Sequence, residues 1–211
     1  MRRESHVRAC EGGGVRFPSA TRLVVGFQYE IDARRFWDAM RERLQEFALS
    51  LHPEKTRLIE FGRHAAANRK QRGQGKPETF NFLGFTFICG KSLRGKFLLK
   101  RRSRRDRMKA KLREIGGELR RRMHQPIPQQ GEWLRQVVSG YFQYHAVPTN
   151  WTALGAFRLG VIDRWRRTLS RRSQKGDVIW ARMEKLADDW LPKPRILHPW
   201  PNQRFAVKHP R

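Results

Sequence analysis

Acidic side chains are scarce in this sequence: 19 Asp and Glu stand against 46 Lys and Arg, a formal charge of +27 over 211 residues. Self-repulsion of that size works against a compact state, so a polyanionic partner is its natural complement. Cysteine is equally sparse. The two present, Cys10 and Cys89, are too few and too far apart for a disulfide framework or a zinc site, which suits a reduced compartment. No run of about 18 apolar residues occurs, which argues against a spanning helix. Met1–Gly14 carries charges but no apolar stretch, and so does not read as a secretory signal. The expectation is a cytoplasmic protein, associated with nucleoid or ribonucleoprotein, without a membrane partner. Hydrophobic residues are also few, at 38%, yet 7 Trp and 13 Phe are enough for a modest core. Disorder throughout is thereby excluded, because disordered chains are poor in aromatics. The length suggests one or two domains.

Nucleic acid, an anionic membrane surface and an acidic protein could each accept such a charge. Arginine dominates the basic residues, and its planar fork suits phosphate oxygens and base edges. A membrane-surface helix would need a wide exposed apolar face. The helical stripes here are narrow enough to be ordinary core faces, so nucleic acid is the favoured partner.

Along the chain, Met1–Ala20 is basic, contains Gly12, Gly13 and Gly14, shows no periodicity and is expected to be disordered. Leu23–Tyr29 has the length and β-branching of a buried strand. Asp32 is placed to cap a helix whose Phe36, Met40, Leu44 and Phe47 recur at helical spacing. Pro53 breaks the chain, and Thr56–Phe61 reads as a strand. Gly62–Pro77 is polar and basic and is expected to be a loop. Phe80–Cys89 and Lys96–Lys100, joined by a turn-rich Gly90–Gly95, form a plausible hairpin. From Lys100 the period becomes helical. Ser103–Met123 reads as one basic helix with a kink signal at Gly116-Gly117, ended by Pro126 and Pro128. Further helices are expected over about Gln130–His145, from an Asn150 cap through Leu169, and over Asp177–Trp190. Prolines 192, 194, 199, 201 and 210 make the tail extended. The expected class is therefore α+β: residues 21–99 with helix, strands and hairpin, residues 100–195 all-helical, and a basic tail over 196–211.

Four blocks, in order, carry a family resemblance over about Leu23–Arg211. They are Leu23-Val24-Val25-Gly26-Phe27; Leu49-Ser50-Leu51-His52-Pro53-Glu54-Lys55-Thr56; Phe80-Asn81-Phe82-Leu83-Gly84-Phe85; and the stretch from Trp133 to Trp190 with Gly140-Tyr141-Phe142-Gln143-Tyr144-His145 and Arg171-Arg172-Ser173-Gln174. Read together, the chain resembles the group II intron-encoded reverse transcriptase/maturase family. The resemblance implies the end of a polymerase palm, with its motif D and primer grip, followed by the maturase-specific thumb called domain X. It implies RNA binding and RNA splicing by a mobile genetic element's protein, with RNA-directed DNA polymerase activity in intact members.

The departure from the family is as informative as the match. Intact members read Tyr-Ala-Asp-Asp just before the first block, and those aspartates hold magnesium for two-metal phosphoryl transfer. Here Ser19, Ala20, Thr21 and Arg22 occupy those positions. Thr21 is at best a weak neutral ligand, and Arg22 puts a cation where a cation should bind. No catalytic residue is therefore assigned, and no cofactor is expected on this chain. Magnesium would be needed by a partner ribozyme or by an intact polymerase. The fingers and the remaining metal carboxylate are missing, which reads as a truncated copy with a new start. Lys55, Leu83 and Gly84 remain as motif remnants: Lys55 without its partner metal site, Leu83 and Gly84 as holders of the hairpin.

The candidate nucleic-acid-binding residues are Lys100, Arg101, Arg102, Arg104, Arg105, Arg107, Lys109 and Lys111 on the basic helix, continued by Arg113. A second cluster comprises Arg164, Arg166, Arg167, Arg171, Arg172 and Lys175 at the end of the third helix. A charge run is often only a solvated face, and cations at a helix C-terminus also favour its dipole. Density opposed only by Asp106 and Glu114 is what favours phosphate. If the two clusters share a face, they make a cleft for structured RNA, recognised by shape, phosphate and 2′-hydroxyl. Aromatic residues Trp133, Tyr141, Phe142 and Trp165 have the spacing of core residues, whereas Tyr144 and His145, near a helix end, are the candidates for base stacking. His52, His124 and His198 lack partners at metal spacing.

The leading expectation is a maturase-type fragment that binds group II intron RNA without making DNA. The rivals are a polymerase completed by a separately encoded N-terminal reverse-transcriptase half, a degenerate remnant, and a general duplex-DNA-binding protein.

Overall fold

A computed structural model describes residues 6–11, 22–172, 178–201 and 203, with the side chains of 6–11 and 22 left aside. The chain divides into two compact units, Met1–Lys100 and Arg101–Arg211. The described residues form six helices and two small three-stranded sheets, a mixed α/β protein.

In the first unit, β1 (His6–Glu11), β2 (Arg22–Phe27) and β3 (Thr56–Glu60) form a sheet in the order β2-β1-β3. Both pairings of β1 are antiparallel, with His6 opposite Phe27 on one side and Glu60 on the other. This corrects the expectation of disorder over the N-terminal stretch: His6–Glu11 is the middle strand. Six residues are too few to show a period, and it is pairing on both sides that makes a strand of them. The remainder of Met1–Ala20, and Thr21, lie outside the described residues.

Helix α1 (Glu30–Gln45) follows β2. Asp32 lies in its first turn, where a carboxylate favours the dipole, while Tyr29 occupies the cap position without a side-chain bond, so Asp32 is not the cap. The Phe27 and Phe36 rings meet at 5.2 Å, tying α1 to the sheet. Between Gly62 and Pro77 the expected loop instead contains α2 (Ala65–Gln71). Three consecutive alanines supply the helix propensity, and Ala65 is buried, an anchor that overall polarity concealed.

The second sheet is β4 (Phe80–Phe82), β5 (Phe85–Lys91) and β6 (Phe97–Ser103), in that order. The β4–β5 turn is Leu83-Gly84, both left-handed at φ 45° and 76°, the geometry of a two-residue hairpin turn. Phe80 and Phe87, paired across the strands, stack at 4.9 Å. Strand β6 continues through Ser103, so Lys100, Arg101 and Arg102 sit on a strand and not on the basic helix. Pairing with a neighbour prolonged the strand past the point where the helical period begins.

The second unit contains α3 (Arg105–Arg121), α4 (Ile127–His145), α5 (Trp151–Ser170) and α6 (Trp180–Trp190). Helix α3 runs unbroken through Gly116-Gly117 and ends before the prolines. Pro126 and Pro128 open α4 instead of closing α3, at the cap and the second position, where no backbone N–H is needed. The core gathers Leu112, Ile115 and Leu119 from α3 with Leu134, Val138 and Phe142 from α4. Leu154, Phe157, Val161 and Trp165 from α5 and Met183 from α6 complete it. Each such side chain contributes roughly 1.5–3 kcal/mol of burial.

Among the described residues of this unit, Gln130, Asn150 and Thr168 are buried polar groups. Gln130, fully buried, accepts a bond from the Trp165 indole N–H at 2.9 Å and donates to the carbonyls of Arg122, Met123 and Gln125. The orphan carbonyls beyond α3 thereby find donors.

Helices α3 and α5 run parallel with a constant offset in sequence. The Ser103 N–H donates to Asn150 Oδ1 at 2.9 Å, Leu112 packs on Gly160, and Arg164 lies over Gly116. Arg172 closes the series with bonds to the carbonyls of Met123 and Gln125. A Cβ on Gly160 would come within 2.8 Å of Leu112 Cδ1, so this close approach needs glycine. Asn150 stands at the α5 cap position but makes no capping bond; its amide holds Ser103 Oγ and the His145 carbonyl at 2.8 and 2.7 Å.

Candidate nucleic-acid interface

The face of α3 turned from the core carries the charge. Arg105, Lys109 and Arg113 stand four residues apart and so lie one above the other, with Arg120 two turns beyond Arg113 on the same side. This row extends over roughly 22 Å at 1.5 Å per residue. All four are exposed, and none has a hydrogen bond or ion pair among the described residues.

The acids of α3 are occupied locally. Asp106 holds Arg104 at 2.6 Å, Glu114 holds Lys111 at 2.7 Å, and Glu118 pairs with Arg121. The Arg104 side chain holds the Asp106 carboxyl below its usual range. Each of these pairs is exposed on at least one side and contributes little to stability. Their consequence is a sorting of charge, in which Arg104 and Lys111 are spoken for while Arg105, Arg107 and Lys109 are not.

The other candidates divide. Arg102 is exposed on β6 without a partner among the described residues. Lys100 lays its aliphatic stem across the Gly90 backbone, where a Cβ would meet Lys100 Cε at 2.6 Å. Arg101 is partly buried, and desolvation lowers its guanidinium pKa. Its backbone N–H donates to Thr149 Oγ1 at 2.9 Å.

The second cluster is largely committed to the fold. Arg164 donates to the Gly160 carbonyl at 2.8 Å. Arg167 pairs with Asp163 at 3.0 Å. Arg172 closes the carbonyls after α3, and Arg166 lies 5.0 Å over the Trp180 ring. Arg171 is exposed with no partner among the described residues, and Lys175 lies outside them. Helix phase explains this split: α5 buries a broad face, so its arginines reach back to carbonyls and rings.

Tyr144 is 52% exposed, whereas His145 turns inward. The His145 ring stacks on Tyr141 at 4.2 Å and bonds Ser103 Oγ at 3.0 Å through Nδ1. Burial pushes its pKa down to about 4, so it is neutral near pH 7 and ties the end of α4 to Ser103 at the end of β6.

Among the motif remnants, Lys55 is exposed in the turn before β3, and Leu83-Gly84 form the β4–β5 turn. Arg22 opens β2. Among the described residues no three His, Cys, Asp or Glu side chains form a group able to hold a metal.

The first unit offers a contrast. A cavity of about 570 Å³ between α1, β3 and the α2 region is lined by Arg34, Arg57 and Arg72 with Glu30, Glu78 and Glu60. Each of those arginines is paired with one of those acids. That lining is charge-balanced and gives a polyanion no net field, unlike the outer face of α3.

Sequence reasoning missed Arg120 as part of the row and read a kink signal at Gly116-Gly117, through which α3 continues; the seven-residue step from Arg113 to Arg120 was the available signal. No described helix is long and apolar enough to cross a membrane. Compared with known proteins, the chain matches no family model and no curated protein.

Proposed function

We propose that this chain is an RNA-binding, maturase-type fragment of the group II intron reverse transcriptase kind, which assists folding and splicing of intron RNA without synthesising DNA. In this reading the first unit is the end of a palm, and the helices of the second are a thumb of the domain X kind. The observation that carries it is the outer face of α3, where Arg105, Lys109, Arg113 and Arg120 are paired with no acid among the described residues.

Such a row relieves its self-repulsion by neutralising phosphates where RNA segments converge. Four phosphates neutralised on a duplex give a log–log salt slope of roughly −3.6. Thr21 and Arg22, at the positions of the family's aspartates, offer one neutral hydroxyl and a guanidinium that repels cations, a pair that does not fit magnesium. The chain's own contribution is charge and shape, and the ions required for splicing belong to the RNA.

The test is binding of the purified chain to a group II intron RNA, to duplex DNA and to an unrelated structured RNA across a range of salt. A preference of tenfold or more for the intron, about 1.4 kcal/mol, is the expected result. Equal binding to all three, lost together as salt rises, refutes the maturase reading.

A further inference from the structure

We propose that Gly117 marks the place where the sugar–phosphate backbone of an RNA helix lies against α3, gripped on either side by Arg113 and Arg120. This rests on the RNA-binding reading above and adds where the contact is made. Glycine inside a helix lowers its stability relative to alanine, so a mid-helix glycine calls for a reason.

The two adjacent glycines of α3 differ in this respect. Gly116 faces α5, where a Cβ would stand 3.6 Å from Arg164 Cδ. Gly117 faces outward, and a Cβ there would meet nothing within 4 Å. Nor does Gly117 end the helix or adopt a left-handed φ, since α3 continues to Arg121. Turn geometry, capping and close packing inside the chain therefore leave Gly117 without a role.

Its surface neighbours supply one. Arg113 lies one turn before Gly117 and Arg120 just under one turn after it, both exposed and both without a partner among the described residues. The acid on the preceding turn, Glu114, is held by Lys111 at 2.7 Å, and Glu118 is held by Arg121. The result is a side-chain-free notch flanked by guanidinium forks. A phosphodiester backbone can approach the helix closely there, while each fork takes phosphate oxygens in pairs. A solvated face would require the cations but not the notch.

The experiment is Gly117→Leu in the full chain, with Gly117→Ala as its smaller counterpart and a short blunt RNA duplex as the probe. Leucine forms helices well and has open space, so the thermal midpoint should stay level or rise. Affinity should fall at least tenfold at fixed salt, and less for alanine. Arg113→Gln with Arg120→Gln should lower the salt slope by roughly two phosphates' worth. If Gly117→Leu binds the duplex as the parent does, the notch proposal is overturned and the RNA-binding reading stands. If the parent chain binds no RNA, both fall together.

Discussion

Replacing Gln130 by leucine removes the buried amide that joins the Trp165 indole to the carbonyls following α3. The side chain is fully buried, and leucine preserves much of its volume, so the loss is polar and leaves little cavity. The Trp165 indole N–H, now bonded at 2.9 Å, would be left without an acceptor in a site closed to water. The Arg122 carbonyl would lose its bond at 2.7 Å but keep the Gln125 backbone N–H at 3.0 Å. The Met123 and Gln125 carbonyls suffer less, because Arg172 also donates to both. An unsatisfied buried group costs about 1–3 kcal/mol, and burial of the leucine returns part of that. With the indole N–H the one group left unpaired, the expected net loss is about 1–2 kcal/mol, a sizeable share of the roughly 5–15 kcal/mol that holds a domain together. For a unit of this size that corresponds to a fall in Tm on the order of 5–10 °C. Thermal and urea unfolding followed by far-ultraviolet circular dichroism would measure it, with the urea m-value showing whether compactness is kept. A loss below about 0.5 kcal/mol at unchanged m would refute the reasoning that this amide organises the junction of α3, α4 and α5.

Two further outcomes follow from the same packing. His145 has a folded pKa of about 4 against an ordinary 6.5, so as pH falls the unfolded chain takes up the proton first. Its stabilising contribution is complete above about pH 6.5 and is lost as pH falls toward 4; Gln at this position should flatten the fall in Tm over that window, and coincident profiles would contradict it. Gly131 lies against the Trp190 ring, which is also held 5.3 Å beneath Arg135, so the methyl of Gly131→Ala has no free space. We expect a loss of about 1–3 kcal/mol on urea unfolding, and a variant as stable as the parent would show that the ring yields at no cost.

Much of the local structure could be read directly from the residues. The apolar run after Arg22, the strand at Thr56, the strands on either side of Gly90–Gly95 and the helices past Ser103 follow from period and turn chemistry, because those signals are local. The turn at Leu83-Gly84, which splits the expected single strand Phe80–Cys89 into β4 and β5, was hidden by the unbroken alternation of phenylalanines. The excess of basic over acidic residues likewise belongs to the sequence alone. Other features depended on partners distant in the chain. His6–Glu11 is a strand only because β2 and β3 flank it, and β6 keeps Arg101 and Arg102 because a neighbouring strand pairs with it. The fates of the cations were decided in the same way. In sequence, Arg113 and Arg172 are equivalent charges, yet Arg113 projects from the outer face of α3 while Arg172 is spent on the carbonyls that follow it. A local pattern states how many charges there are. Helix phase and packing decide which of them remain free, because a guanidinium within reach of a carbonyl, a carboxylate or an indole ring is already bound.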